Sequence, residues 1–265
     1  MKIILTGVNG QLGYYLNQKL SPFYEVFGVT RESFDLTNVN QMEKVIDDIK
    51  PDLIINPAAY TYVDQAEKES ELVFKTNCEG PKFLAIKSKK LGIPLMQFST
   101  DYVFDGLKVG AYIEADKANP QSIYGKSKHD AEITIQKNNP KHIIIRTSWV
   151  YSLRGENFLT KILDMAKKKD EFGIVSDQIG APTSAIFIAN SIFEMVKKIE
   201  KIEKNNLYGI YNLTCLGSAS WFEFAQTIIL YANELGLEFK CTPKNIKPIK
   251  TSDFPTLALR PVNSL

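Results

Sequence analysis

Met1-Lys2-Ile3-Ile4-Leu5-Thr6-Gly7-Val8-Asn9-Gly10-Gln11-Leu12-Gly13 opens the chain, and its reading decides the fold. Ile3-Ile4-Leu5 is a short, unbroken apolar run, the pattern of a strand buried on both faces. Gln11 to Leu20 follows with helical periodicity. Gly7, Gly10 and Gly13 fill the turn between them. Such a turn leaves backbone N–H groups free at the positive helix end, where a pyrophosphate is favoured. Glycine lets the backbone turn tightly and approach that ligand. The spacing is G-x-x-G-x-x-G, one residue longer than the usual G-x-G-x-x-G. Glycines alone would suit any tight βα turn. The strand before and the helix after point to a dinucleotide-binding loop.

Outward from this loop the alternation continues. Glu25 to Val29, Leu53 to Ile55, Pro94 to Phe98 and His142 to Thr147 read as strands. Asn38 to Ile49, Lys68 to Lys90 and Ser122 to Lys137 read as helices, the first with Val39, Met42, Val45, Ile46 and Ile49 on one stripe. This predicts an α/β fold: a Rossmann-type doubly wound parallel sheet with helices on both faces. After Tyr151 the pattern loosens. Phe158 to Lys169, Ala185 to Lys198 and Trp221 to Leu235 read as helices, with strand-like pieces at Ser176 to Thr183 and Tyr208 to Leu213. The expected division is a dinucleotide-binding domain over 1–150 and a smaller, mainly substrate-binding C-terminal lobe over 151–265. Some segments of the later part should return to the main domain.

Composition narrows the function. Net charge is +2, from 32 basic and 30 acidic residues, so no basic excess argues for nucleic acid. Lys197 to Lys204 mixes Lys with Glu and Ile and reads as a solvated helix end. The N-terminal apolar run is too short for a signal peptide or a membrane helix, which predicts a cytoplasmic protein. Cys78, Cys215 and Cys241 are scattered, without metal-ligand spacing, and fit reduced thiols. His129 and His142 are isolated, so no metal is expected.

Three further features carry chemistry. The second strand ends at Val29-Thr30-Arg31, without the acidic residue that would bind a ribose 2′-hydroxyl. Arg31 could instead pair with a 2′-phosphate, which favours NADPH, with NADH as the alternative cofactor. A plain exposed arginine is the competing reading. Tyr124 and Lys128 lie four apart on one helix face. Reduction of a ketone needs a proton as well as a hydride. A phenol of pKa ~10 is sluggish near neutrality, and a nearby ammonium would lower that value. Thr100 lies in Ser99-Thr100-Asp101 at the carboxyl end of the fourth strand, where ligands bind in such sheets. Its hydroxyl could donate to a substrate carbonyl.

With these residues in place the chain resembles the extended short-chain dehydrogenase/reductases, and within them the dTDP-4-dehydrorhamnose reductase family. The matching blocks are Gly7 to Gly13, Asn56 to Glu67 (NPAAYTYVDQAE), Phe98 to Gly106 (FSTDYVFDG), Tyr124 to Lys128 (YGKSK), Arg146 to Tyr151 (RTSWVY), Asp177 to Thr183 (DQIGAPT) and Arg260 to Ser264 (RPVNS). The resemblance implies reduction of dTDP-4-dehydro-L-rhamnose to dTDP-L-rhamnose, for cell-surface polysaccharide precursors. It implies that Tyr124 is the proton donor, Lys128 its electrostatic and ribose-binding partner, and Thr100 the hydroxyl that orients the C4 carbonyl. It places Gly10, Gln11 and Leu12 at the pyrophosphate and Asp35 and Leu36 at the adenine. It places Ala59, Tyr60, Thr61 and Phe98 at the ribose and nicotinamide. Val63, Asp101, Tyr102 and Trp149 would line the sugar pocket. From the residues alone, Val63, Tyr102 and Trp149 could equally be core, and Asp101 a loop cap.

The chain departs from the family pattern at several points. Pro57 replaces a usual alanine, and His129 and Ala131 follow Lys128 where Leu and a later Gly are common. Some relatives dimerise through a metal held by a first-helix glutamate; Tyr14 and Tyr15 occupy that region here, so no structural metal is expected and the assembly is monomer or homodimer. Relatives usually continue into a terminal helix beyond the position of Leu265. Two other functions compete. One is a reductase or epimerase for another nucleotide sugar. The other is a non-catalytic, cofactor-binding regulatory subunit like that of methionine adenosyltransferase, against which the presence of Thr100, Tyr124 and Lys128 counts.

Overall fold

The computed structural model describes residues 1–201 and 207–265. Its centre is a parallel sheet of β1 (Lys2–Leu5), β2 (Glu25–Gly28), β3 (Leu53–Asn56), β4 (Leu95–Thr100), β5 (His142–Thr147) and a later strand, Gly209–Asn212. The later strand lies beside β5, and β1 lies between β2 and β3. The chain therefore runs outward from β1 in both directions, as in a doubly wound sheet. The six-stranded parallel order is the α/β architecture that the alternation predicts.

Successive strand residues point to opposite faces. Ile3, Leu5, Leu53, Ile55, Met96 and Ile145 therefore bury one face, and Ile4, Ile54, Leu95 and Ile144 the other. Helix α1 (Gln11–Leu20) covers the first face together with a later helix, Ala185–Lys201. Helix α2 (Val39–Ile49) shares the second face with two more helices, Gly80–Leu91 and Ile123–Asn138. Asn38 caps α2 by accepting from the Gln41 N–H.

The single helix expected over Lys68 to Lys90 is instead three pieces. These are α3 (Ser70–Phe74), a π-helical turn at Lys75–Glu79, and α4 (Gly80–Leu91). Two local facts explain the break. Pro81 lacks an N–H and suits only a helix start. The wide π turn also places Asn77 against Tyr60, accepting from its N–H at 2.8 Å and donating to its carbonyl at 3.0 Å. Strand β4 runs two residues further than expected, so Ser99 and Thr100 sit on the sheet itself.

Helix α5 (Ile123–Asn138) follows, capped by the Ser122 hydroxyl on the Gly125 N–H. The main elements that follow are β6 (Val150–Tyr151), α6 (Phe158–Lys168), β7 (Phe172–Val175), β8 (Ile179–Gly180), β9 (Thr183–Ser184), α7 (Ala185–Lys201), β10 (Gly209–Asn212), β11 (Ala219–Ser220), α8 (Trp221–Glu234), β12 (Ile246–Ile249) and β13 (Asn263–Ser264). Helix α7 and β10 belong to the layers of the main sheet. Helices α6 and α8 with β7 and β12 enclose a separate apolar core around Ile162, Ala225, Ile229 and Ile246. The run at Lys197 to Lys204 is helical through Lys201; its last three residues lie outside the described residues. No described helix is long and apolar enough to cross a membrane.

Candidate active site

The glycine loop sits where the strand order reverses. Gly7 has φ of 56°, a left-handed conformation that glycine adopts freely. A Cβ on Gly13 would lie 2.1 Å from the Gly7 carbonyl oxygen, so only glycine lets α1 start this close to the loop. Gly10 caps α1 without a side-chain acceptor for the first-turn N–H groups. The buried Gln11 Nε2 also lacks a partner. Free donors, a positive helix end and a backbone stripped of Cβ atoms fit a dinucleotide pyrophosphate.

Beyond β2, the exposed Arg31 faces the Asp35 carboxylate at 3.6 Å. Burial alone would raise the Asp35 pKa, but the Thr37 N–H and hydroxyl, both at 2.8 Å, and Arg31 hold it below its ordinary value. Leu36 is packed in the core beside α2, and its backbone carbonyl lies against Gly80. Ala59, Tyr60 and Thr61 form the loop after β3, clamped by Asn77 and by the Tyr60 hydroxyl donating to Glu69 at 2.7 Å. The Phe98 side chain lies in the sheet core, and it is its carbonyl that reaches the site.

A chain of buried polar groups joins the strand ends. The Thr6 hydroxyl donates to Asn56, Asn56 Nδ2 to Gln97 Oε1 at 2.7 Å, and Gln97 Nε2 to the Phe98 carbonyl at 2.9 Å. The Lys128 ammonium donates to the same carbonyl at 2.7 Å. Burial lowers the Lys128 pKa to about 8, against the opposing pull of Glu132 one turn along the helix. Glu132 itself is buried and held ionised by two bonds from Arg146, at 2.9 and 2.6 Å. This buried pair ties α5 to β5 and fixes the face that carries Tyr124 and Lys128.

Tyr124 is near enough to Thr100 for the threonine hydroxyl to pull its pKa down. Its ring meets the Tyr102 ring edge-on, with centroids 5.5 Å apart. Here one expectation is corrected. The phenol pKa lies above its ordinary value, not below it: burial raises it most, the Asp101 charge raises it further, and Thr100 alone of these polar neighbours pulls it down. Lys128 donates to the Phe98 carbonyl and is not among the groups that shift the phenol. The Thr100 hydroxyl likewise donates to Asp101 Oδ1 at 2.9 Å and accepts from the Tyr102 N–H at 3.2 Å.

Asp101 and Tyr102, the neighbours of Thr100 and Tyr124, stand at one side of a cleft of about 650 Å³ between the sheet and the C-terminal lobe. Thr61, Val63, Asp101, Tyr102 and Trp149 all line it. Trp149 has φ of 48°, a strained position for a bulky residue and the sort of strain that gathers at functional sites. Its indole stacks on Trp221 at 3.4 Å and 6°. A Cβ on Gly180 would lie 2.3 Å from the Trp149 ring, so this glycine makes room for the indole. Val63, Tyr102 and Trp149 are thus partly exposed wall residues and not core, and Asp101 is more than a loop cap.

Several wall residues carry no role in the sequence reading. Arg260 donates to the Tyr102 hydroxyl at 2.9 Å and pairs with Asp64. Ser264 donates to Asp101 Oδ2 at 2.6 Å. Gln178 accepts from the Trp221 indole at 3.2 Å. Arg260, Ser264 and Gln178 fall inside the RPVNS and DQIGAPT blocks, so the motif marked them without saying what they touch. Trp221 and Asn77 gave no such signal. Among the described residues no cluster of His, Cys, Asp or Glu is arranged to hold a metal ion.

The sequence matches the family described as the RmlD substrate binding domain over residues 1–265. The chain belongs to this family. It is 39% identical to a dTDP-4-dehydrorhamnose reductase of Sinorhizobium fredii over 265 residues, covering all of this chain and 88% of that protein. It is 34% identical to a dTDP-4-dehydrorhamnose reductase of Salmonella typhimurium, covering all of this chain and 88% of the other. The crystal structure of the dTDP-4-dehydrorhamnose reductase of Bacillus anthracis in complex with NADP superposes with a TM-score of 0.91 at 38% identity, covering 99% of this chain and 89% of that one. A Thermus thermophilus UDP-glucose 4-epimerase in complex with NAD, 17% identical with a TM-score of 0.72, shares the fold.

Proposed function

We propose that this family member is a cytoplasmic NADPH-dependent reductase that converts dTDP-4-dehydro-L-rhamnose to dTDP-L-rhamnose. The observation that carries this reading is that Tyr124 and Thr100 adjoin Tyr102 and Asp101, which line a cleft large enough for a nucleotide sugar. The full-length relatives named for this reaction, and the NADP complex among them, support the choice of substrate and cofactor.

NADPH, when bound, supplies the hydride that adds to C4 of the sugar. Gly10, Gln11 and Leu12 would hold its pyrophosphate by N–H groups at the start of α1. Arg31 would meet a 2′-phosphate, for which it must turn from Asp35. Asp35 and Leu36 would border the adenine, and Ala59, Tyr60, Thr61 and the Phe98 carbonyl the ribose side. Lys128, buried beside that carbonyl, would hold a ribose hydroxyl.

Tyr124 gives its proton to the sugar oxygen as charge develops there. A phenol with a raised pKa holds that proton firmly until an alkoxide, a far stronger base, arrives. Thr100 orients the oxygen. Trp149, Tyr102, Val63 and Asp101 hold the ring. The deciding experiment is NADPH oxidation followed by absorbance with dTDP-4-dehydro-L-rhamnose, beside a panel of other nucleotide 4-keto sugars. Turnover of this sugar above the panel is expected. No turnover of it, or a clear preference for another sugar, overturns the assignment.

A further inference from the structure

The two tryptophans of the chain, Trp149 and Trp221, meet in the wall of the cleft. Their ring centroids lie 3.4 Å apart and their planes within 6° of parallel. Aromatic pairs left to themselves settle offset or edge-on, with centroids ~4.5–7 Å apart. A close face-to-face pair therefore has to be held from outside. Strand β8 and the residue before it, Gln178, do the holding. Gly180 leaves the recess that Trp149 fills, since a Cβ there would lie 2.3 Å from the ring. β8 pairs antiparallel with β11, Ser220 opposite Ile179, which sets Trp221 across from Gln178. The buried Gln178 amide uses both of its ends. Oε1 accepts from the Trp221 indole N–H at 3.2 Å, and Nε2 donates to the Thr251 hydroxyl at 3.1 Å. Thr251 in turn donates to Asp177, through its hydroxyl at 2.6 Å and its N–H at 2.9 Å. The amide is thus locked in one orientation. Trp149 has φ of 48°, a conformation that a bulky residue keeps only where its surroundings impose it.

We propose that Gln178 is a positioning residue for sugar recognition: through the Trp221 indole it seats Trp149 in the cleft wall before the substrate arrives. This rests on the reading of the cleft as the sugar-nucleotide site. Neither ring is plain core, because both border the cleft together with Gln178. A wall already held in its bound shape needs no ordering when the ligand enters, and so favours affinity. The hydrogen bonds of the Gln178 amide end at Trp221 and Thr251 and reach none of Thr100, Tyr124 and Lys128. The influence of Gln178 therefore falls on binding of the sugar and not on the proton step.

Gln178→Met tests the idea, because it keeps the length of the side chain and removes both polar ends. KM for dTDP-4-dehydro-L-rhamnose is expected to rise about tenfold, the effect of one lost bond with its partner N–H left unpaired, while kcat and the NADPH dissociation constant stay within about twofold of wild type. In a Trp221→Phe background, which has no indole N–H to hold, the same change is expected to add less than about twofold, because two residues acting through one contact are not additive. A second readout needs no turnover. Fluorotryptophan labelling gives each indole its own fluorine resonance, and Trp221→Phe identifies that of Trp149. Gln178→Met is expected to shift the Trp149 resonance, although the hydrogen bonds of Gln178 stop at Trp221 and Thr251. Thr251→Val, which removes only the acceptor of the amide N–H, is expected to shift it less and to raise KM about threefold, and it carries the test should Gln178→Met not fold. An unmoved Trp149 resonance, an unchanged KM, an equal fall in kcat, or full additivity with Trp221→Phe overturns the proposal. Should wild type fail to reduce the sugar while Gln178→Met still moves the Trp149 resonance, the error lies in the substrate assignment and not in the seating of the indoles.

Discussion

Gly13 and Gly180 do the same packing job in two different regions. Gly13 lets a helix approach a backbone carbonyl in the glycine loop, and Gly180 lets an indole lie flat in the cleft proposed for the sugar. The contacts at Gly13 are local, a few residues apart in the chain. Those at Gly180 join β8 to Trp149 and, through the indole stack, to Trp221 at the start of α8. The phosphate loop is thus built by neighbours in sequence, and the Trp149 wall of the cleft by segments that meet only once the chain has folded. A change in the first should damage cofactor affinity. A change in the second should damage sugar recognition and leave the cofactor in place.

The largest expected effect crosses both halves. Tyr124→Phe removes the proposed proton donor and should lower kcat by about 10³-fold, with NADPH affinity unchanged. Steady-state rates beside cofactor titration check this; near-normal turnover would remove Tyr124 from the chemistry.

Gly13→Ala should weaken NADPH binding by roughly a hundredfold, since overpacking against a carbonyl costs about 1–3 kcal/mol. Gly180→Ala should raise KM for the sugar about tenfold by displacing Trp149, with the NADPH dissociation constant held. If the Gly180 variant loses cofactor binding as well, the two halves are not separable in this way.

Lys128 sharpens the comparison through pH. Its folded pKa of about 8 lies below the unfolded value, so the ammonium is lost as pH rises through about 8. The quantity kcat/KM reports the free enzyme and should fall above that pH. Lys128→Arg should shift that limb upward. The linkage sign is opposite for stability. Keeping the buried charge costs stability below about 8, and the cost fades as pH climbs towards the unfolded value near 10.4. Lys128→Met should therefore raise the melting temperature at neutral pH while abolishing activity.

The smallest effect belongs to the most exposed residue. Arg31→Ala should reduce the NADPH-over-NADH preference by about tenfold at most, because a solvated pair contributes little. An unchanged ratio of kcat/KM values would make Arg31 a surface arginine.

The β1 loop, the strands of the main sheet and the Tyr124–Lys128 spacing were legible because each depends on period and on residues close in the chain. The π turn was not. A run of good helix formers hides it, and its cause is Asn77 reaching Tyr60, 17 residues away. The raised phenol pKa was also out of reach, since a four-residue spacing places Lys128 on the right face but cannot say that its proton goes to Phe98. Short strands such as β8, β11 and β13 have only two residues each, too few to show a pattern.

By itself the sequence determined the doubly wound sheet, the phosphate loop and the identity of the hydroxyl-bearing residues, because backbone sterics and hydrophobic period act locally. Tertiary structure alone decided which way their protons point, what Arg260 and Ser264 touch, and how Trp149 is seated on Trp221. Hydrogen-bond direction and aromatic stacking depend on distances of a few ångströms between residues far apart in the chain, and no linear pattern encodes them.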